Sequence, residues 1–562
     1  MSSLFVERKA RGAFFTPPVL ANFLAKWAIH DNPAARVLDP TCGEGVFLLA
    51  AARELYKLGA TEECLNDQVY GVDLHQGSLA ETATQLESEG LDAHVVAADF
   101  FELAPPSELF PSIGSFDAVV GNPPFVRYQQ HIGEPRRISA KAALRQGVRL
   151  SGLASSWAAL LVHAGSFLAP QGRLAMVMPA ELLSVGYAEP VRQWLRRRFA
   201  AVKLVFFERH QFPDALENVV LLLTQGTGGC DAFSLYYVED GEDLNRIQPF
   251  DEYAVALSGD GKWTDLMLSI PERKIFKSIA AKHFVGLAEY GSPELGTVTG
   301  ANSFFTLNEK TRREFGLVPE IQVAKICPPG TRHLRGLTFT RRDWQDLSDA
   351  GEPVWLLYPA PDDRSEALLQ YLATGLEKGV PDAYKCQVRS LWWRPPIVPT
   401  PDLFFTYMSH RYPRMITNTA GVNFVNSMHG VRLAKAVPSI ARLALPVLAM
   451  NSVTMLGAEM YGRSYGGGIL KMEPREAARL PLPCPSDLVR AWQTLRHEVR
   501  RFDSSIRRGE WSAVVERVDK VLLRDVLKLS DPEVSAISTA LNTLRRRRIS
   551  RNLPSAETLP GA

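Results

Sequence analysis

Asn122-Pro123-Pro124-Phe125 ends the apolar run Phe116-Asp117-Ala118-Val119-Val120-Gly121. The run reads as a buried strand, and two prolines cannot extend its ladder. Asn122 is therefore expected on a stiff loop at the carboxyl end of a strand, where open α/β sheets bind ligands. A side-chain amide, the carbonyl of Pro123 and the flat ring of Phe125 together suit a planar group carrying an exocyclic NH2. An Asx-Pro turn that merely caps the strand would use the same residues.

Carboxylates stand at the ends of the preceding apolar runs. Arg36-Val37-Leu38-Asp39 leads into Pro40-Thr41-Cys42-Gly43-Glu44-Gly45, where Gly43 and Gly45 let backbone approach a ligand ahead of a helix N-terminus. The loop has neither the G-x-G-x-x-G order of a dinucleotide site nor the Gly-Lys-Ser/Thr of a P-loop, and Asp39 suits a cationic amino group better than a phosphate. Asp73 ends the next run, placed to accept from both hydroxyls of a ribose. Asp99-Phe100 ends the third, where a carboxylate could take an adenine amino group beside an aromatic ring. Each Asp alone is better explained as an N-cap of the next helix. Asp39, Asp73 and Asp99 at successive strand ends, followed by Asn122, are harder to explain as caps alone.

The elements that must hold these residues alternate strand and helix to about residue 225, which implies a mainly parallel sheet. Strands are predicted at 36–39, 69–73, 94–99, 116–121 and 172–179, with 202–207 and 219–223 closing the sheet as a hairpin. Helices are predicted at 47–57, 76–88 and 156–168. Beyond Gly226-Thr227-Gly228-Gly229 the chain turns irregular, rich in aromatic residues and proline and poor in long periodic helices, and reads as an α+β domain with a mixed sheet. From about Asp487 apolar positions recur at helical spacing (Val514, Val518, Leu522, Val526). Domains are expected at 1–240, 241–485 and 486–562 of the 562 residues, too many for one ordinary core.

The ordered set Asp39-Pro-Thr-Cys-Gly-Glu-Gly, Gly71-Val-Asp73, Ala98-Asp99-Phe100 and Asn122-Pro-Pro-Phe125 resembles the motifs of S-adenosylmethionine-dependent methyltransferases. Asn-Pro-Pro-Phe/Tyr marks those that methylate planar nitrogens. Gly12-Ala-Phe-Phe-Thr16-Pro17-Pro18 resembles the N-terminal motif of the gamma class of DNA N6-adenine methyltransferases, which carry the target-recognition domain after the catalytic one. The resemblance implies an α/β, Rossmann-like S-adenosylmethionine-dependent methyltransferase domain, then an α+β target-recognition domain and a C-terminal helical segment. It implies that Thr16 and Asp39 hold the methionine end of the cofactor within the Thr41, Gly43 and Gly45 loop, Asp73 the ribose, and Asp99 with Phe100 the adenine. Asn122 and Pro123 would grip the amino group of a flipped adenine, with Phe125 on one face and Phe212, in Glu208-Arg-His-Gln-Phe-Pro213, on the other. In the second half, Gly300-Ala-Asn-Ser-Phe-Phe, Val388-Arg-Ser-Leu-Trp-Trp-Arg394 and Gly462-Arg-Ser-Tyr-Gly-Gly-Gly-Ile-Leu-Lys471 resemble blocks of restriction–modification methyltransferases, pointing to Arg389, Trp393, Arg394, Arg463 and Lys471 as contacts to double-stranded DNA.

Composition narrows the field. Hydrophobic content of 46% with 22% charged residues describes a soluble globular protein, and no run reaches the length of a membrane span. Six scattered cysteines without C-x-x-C spacing argue against a zinc site and fit a reducing cytoplasm. A net charge of +2 neither favours nor excludes a polyanionic partner, and Arg196-Arg197-Arg198 and Arg545-Arg546-Arg547-Arg548 read first as solvated faces. The strings Pro483-Cys484 and Glu217-Asn218-Val219 occur in cytosine C5-methyltransferases but stand here in reversed order, and are taken as chance. Protein-glutamine or ribosomal-RNA methylation uses the same Asn-Pro-Pro-Phe chemistry but needs no large trailing domain. The cofactor carboxylates speak against a non-catalytic specificity subunit. Nothing ahead of Phe15 would hold a nuclease, so any cognate endonuclease is expected as a separate chain.

Overall fold

The computed structural model describes residues 16–91, 93–108, 111–126, 130–207, 219–246, 253–256, 263–465 and 468–549. The chain forms two compact units, residues 1–267 with 549–562, and residues 268–548.

The first unit is built on a nine-stranded sheet. Its strands are β1 (Val37–Asp39), β2 (Val69–Asp73), β3 (His94–Ala97), β4 (Phe116–Gly121), β5 (Leu168–Pro179), β6 (Ala201–Phe207), β7 (Val219–Gln225), β8 (Ala232–Val238) and β9 (Tyr253–Ala256), in the order β3-β2-β1-β4-β5-β7-β6-β8-β9. β3, β2, β1, β4 and β5 run parallel, so their carboxyl ends share one edge. β7 inserts antiparallel between β5 and β6, the hairpin expected from the two apolar runs. The sheet does not stop at the glycines near 226. β8 lies parallel to β6, and β9 antiparallel to β8.

Helices α1 (Pro18–Ile29), α2 (Val46–Lys57) and α3 (Gln76–Ser88) belong to this unit, with α4 (Gly133–Arg145) and α5 (Ser156–Gly165) between β4 and β5. Pro18 opens α1 at a position where a missing N–H costs nothing. Leu20, Ala21, Leu24, Ala25, Ala28 and Ile29 then recur at helical spacing and are all buried. Burying each leucine contributes about 1.5–3 kcal/mol. The apolar face of α1 packs on α2 and β4, which anchors the chain two residues ahead of it, at Thr16.

In the second unit the expected mixed sheet has five strands: 291–295, 429–433, 403–405, 415–418 and 338–339, of which only the last pair is parallel. The region reads as poor in long periodic helices, yet it holds several of ordinary length. Ile270–His283, Arg341–Asp349, Glu366–Glu377, Ala441–Leu448 and Ser452–Tyr461 are all helical. Ser452–Tyr461 buries every residue except Tyr461, so its sequence lacks the polar face that makes helical periodicity readable. The later helices, from Pro485–Leu495 to Asp531–Ile549, fall in this same unit rather than forming a separate one.

Two arginines of the run 545–548, Arg547 and Arg548, are buried rather than part of a solvated face. Arg548 and Glu459 form an ion pair with each side chain 3% exposed. Arg548 also donates to the carbonyls of His410, Arg411 and Gly468. Removing one partner of such a pair strands the other charge. We expect Glu459→Ala to destabilise this unit by about 3–5 kcal/mol, read as a lowered thermal transition of the full chain.

Candidate active site

The carboxylates singled out in the sequence meet along the carboxyl edge of the parallel strands. Register places Asp39 beside Gly71 and Asp73 beside Ala97. Asp73 is held by backbone: its Oδ2 accepts from Gly43 N at 3.0 Å and its Oδ1 from His75 N at 2.8 Å. The glycine loop is tied down from above, because the Thr82 hydroxyl donates to the Gly43 carbonyl at 2.6 Å. Gly45, at φ +85°, caps α2, and a Cβ there would stand 2.8 Å from Thr82 Cγ2. Thr82 sits mid-helix with no motif around it, so its role was not readable in the sequence.

Asp39 is fully buried. Its Oδ1 accepts from Thr41 N at 3.0 Å, while its Oδ2 and the Thr41 hydroxyl have no hydrogen-bond partner. A Cβ on Gly121 would stand 2.9 Å from Asp39 Oδ1, so the carboxyl occupies space that only glycine leaves open. Desolvation pushes the Asp39 carboxyl up to about 8, and the neighbouring Asp73 adds to the rise. The result is a buried acid whose unpaired oxygen calls for a donor or a cation.

Asn122 follows on β4, next to β1 in the sheet. Its Nδ2 donates to Thr16 Oγ1 at 3.1 Å, and its Oδ1 is buried without a partner. Spending the donor end on Thr16 turns the acceptor end free. Pro123 is buried, and Phe125 keeps 8% of its surface exposed. The loop is tied to α5, where the Ser156 hydroxyl donates to the Pro124 carbonyl and accepts from Val126 N at 3.0 Å.

Asp99 caps the turn Phe100–Glu102, its Oδ1 accepting from Phe101 N at 3.0 Å. Phe100 is buried against His163 and Phe167, and His163 Nε2 donates to the Phe100 carbonyl at 3.0 Å. Burial holds the His163 imidazole down to about 4, so it is a neutral prop for this turn. Phe212 lies outside the described residues.

In the second unit the basic and aromatic residues singled out for DNA have internal partners. Arg389 donates to the Val298 carbonyl and lies 5.5 Å from the Phe305 ring centre. Trp393 is buried in the core, and Arg394 donates to the Pro359 carbonyl at 2.8 Å over the Tyr358 ring. Arg463 pairs with Glu476 at 2.7 Å and Lys471 with Glu473 at 2.7 Å, each cation remaining partly exposed. Burial raises the Cys484 thiol, the opposite of what a nucleophilic cysteine needs. Among the described residues no group of His, Cys, Asp or Glu is placed to hold a metal ion, and no single helix is long and apolar enough to cross a membrane.

Comparison with known proteins finds two family matches in succession along the chain. Residues 3–203 match the family model of the N-6 DNA methylases, and residues 260–523 that of the C-terminal domain of the type II methyltransferase M.Eco57I. The type II methyltransferase M.AccI of Acinetobacter calcoaceticus is 21% identical over 481 residues, covering 84% of this chain and 85% of that protein. M.XamI of Xanthomonas campestris pv. amaranthicola is 25% identical over 498 residues, covering 85% and 86%. Among solved structures, the type IIL restriction–modification enzyme MmeI in complex with DNA matches with a TM-score of 0.59 at 13% identity, over 97% of this chain and 80% of that one, which shows a shared fold. The strand-end carboxylates and Asn122 lie inside the first match and most of the trailing unit inside the second, and together with the full-length similarity to type II methyltransferases these mark the chain as a DNA methyltransferase of restriction–modification type.

Proposed function

We propose that this DNA methyltransferase moves a methyl group from S-adenosylmethionine to N6 of an adenine flipped out of duplex DNA, at a specific sequence, in the cytoplasm, beside a separately encoded endonuclease. The observation that carries the reading is the buried, unpartnered Oδ1 of Asn122 with its Nδ2 committed to Thr16. An acceptor oriented in this way suits the N–H of an exocyclic amino group.

The orphaned Asp39 Oδ2 and Thr41 hydroxyl fit a ligand that brings both a positive charge and an acceptor, as the methionine end of S-adenosylmethionine does. When bound, that cofactor supplies a methyl group on a positively charged sulfur. Asp39, Thr41 and Thr16 would hold its amino-acid end, Gly43 and Gly45 would let backbone approach it, Asp73 would take the ribose hydroxyls, and Asp99 with Phe100 would border the adenine. Asn122 Oδ1 and the Pro123 carbonyl accept the two N6 hydrogens and draw the nitrogen lone pair out of the ring. Phe125 would flank the base on one face and, by resemblance, Phe212 on the other. Flipping costs roughly a few kcal/mol, and the rate enhancement comes from positioning and fixed dipoles rather than a covalent intermediate. Of the residues in the second unit, Arg463 and Lys471 can exchange their carboxylates for phosphate. Arg389, Trp393 and Arg394 would instead shape the recognition surface from within.

Asn122→Ala should abolish formation of N6-methyladenine, measured by nucleoside mass spectrometry, while cofactor affinity changes by no more than about twofold. Persistent N6-methyladenine would remove Asn122 from the mechanism.

Ligand binding should also depend on pH. Below about pH 8 the free protein carries a proton on Asp39, and a cationic ligand favours the carboxylate. Cofactor binding at pH 7 should therefore release a proton, and affinity should rise by up to about tenfold per pH unit before levelling near 8. Isothermal titration in buffers of different ionisation enthalpy measures the release. Equal release by Asp39→Asn would assign it to another group.

Lys471→Ala should weaken DNA binding about equally for all sequences and lower the slope of log affinity against log salt by about 1. An unchanged slope would place Lys471 off the phosphate path.

A further inference from the structure

The loop that grips the amino group cannot anchor itself. Pro123 and Pro124 have no N–H, so between Asn122 and Phe125 the main chain offers only carbonyls. The missing donors come from the first turn of α5. The Ser156 hydroxyl donates to the Pro124 carbonyl and accepts from Val126 N at 3.0 Å, while Ser156 N donates to the Val126 carbonyl at 3.0 Å. Ser156 is 5% exposed, leaving little room for water to replace it.

That turn is fixed in its own right. Ser155 stands at the N-cap position of α5, yet its side chain caps nothing. Instead its hydroxyl lies 3.0 Å from the Tyr187 hydroxyl, which also accepts from Trp157 Nε1 at 3.2 Å and donates to Glu181 Oε2 at 2.6 Å. Accepting two bonds and donating one saturates a phenol. Glu181 follows the end of β5, the strand that pairs Gly121 with Met176. The network therefore starts at β5, passes through α5 and closes on the loop that leaves β4.

We propose that Ser156, backed by Ser155, Trp157, Tyr187 and Glu181, is a positioning residue for methyl transfer that sets where the Pro123 carbonyl and the Asn122 amide meet the amino group. The carbonyl it holds is one peptide unit beyond the one that receives the N6 hydrogen. A displacement of about 1 Å there is enough to cost about a hundredfold in rate. This inference rests on the function proposed above.

The test is single-turnover transfer from methyl-tritiated S-adenosylmethionine to chromosomal DNA of a strain lacking adenine methylation, with the full chain in excess. Ser156→Ala should lower the rate constant about 10- to 100-fold, with DNA and cofactor affinities within about twofold of the parent. Ser156→Thr, which keeps the hydroxyl, should recover most of the rate. Tyr187→Phe removes one hydroxyl and should lower the rate about 3- to 10-fold with the same unchanged affinities. A Ser156→Ala rate within twofold of an active parent overturns the positioning role. So does loss of rate, affinity and melting temperature together in both Ser156→Ala and Tyr187→Phe, the signature of general unfolding. A parent that leaves adenine unmethylated instead contradicts the proposed function itself.

Discussion

An amide side chain has a donor end and an acceptor end, and holding one aims the other. In this protein Asn122 Nδ2 is held by the hydroxyl of Thr16, a residue 106 positions earlier in the chain. The acceptor that chemistry requires is thereby left unpaired inside the protein. A buried polar atom without a partner costs about 1–3 kcal/mol. The fold must supply that stability elsewhere, and α1 is one place where it does so. Its six buried apolar residues fix the chain directly behind Thr16. Packing of a helix thus becomes orientation of an amide.

The same logic governs Asp39. An ionised carboxyl at full burial is disfavoured, and its raised proton affinity is the physical record of that cost. Gly121 yields the space, Thr41 N satisfies one oxygen, and the other waits. Asp73, in contrast, accepts from a main-chain N–H at each oxygen and shows how a carboxylate looks when the protein itself provides for it. The edge of this sheet therefore holds both kinds of carboxyl side by side. The unprovided one marks where a cation belongs.

Much of this edge was legible in the sequence because a polar residue that ends an apolar β-branched run has few structural explanations. Asp39, Asp73 and Asn122 announced both the strands and their ends. β8 and β9 were not legible, since Gly226 to Gly229 look like a boundary and nothing local shows that the sheet resumes. Helix Ser452–Tyr461 hid because burial on all sides erases its periodicity. Charge alone says little. Arg548, which reads as part of a solvated face, is buried in an ion pair, and Arg389 and Arg394, which read as facing DNA, also hold main-chain carbonyls. A sequence shows a charge but not its partner. Thr82 and Ser156 escaped for the same reason, because their worth lies wholly in what they reach across the fold.

Asn122 and the strand-end carboxylates, on the function proposed here, form one site that methylates the amino nitrogen of adenine. Single-molecule sequencing of DNA from cells expressing the protein tests it most directly, because it reads the modified base and its context together. N6-methyladenine confined to one sequence context is the expected result. DNA without modified adenine, or modified only at cytosine, would contradict it.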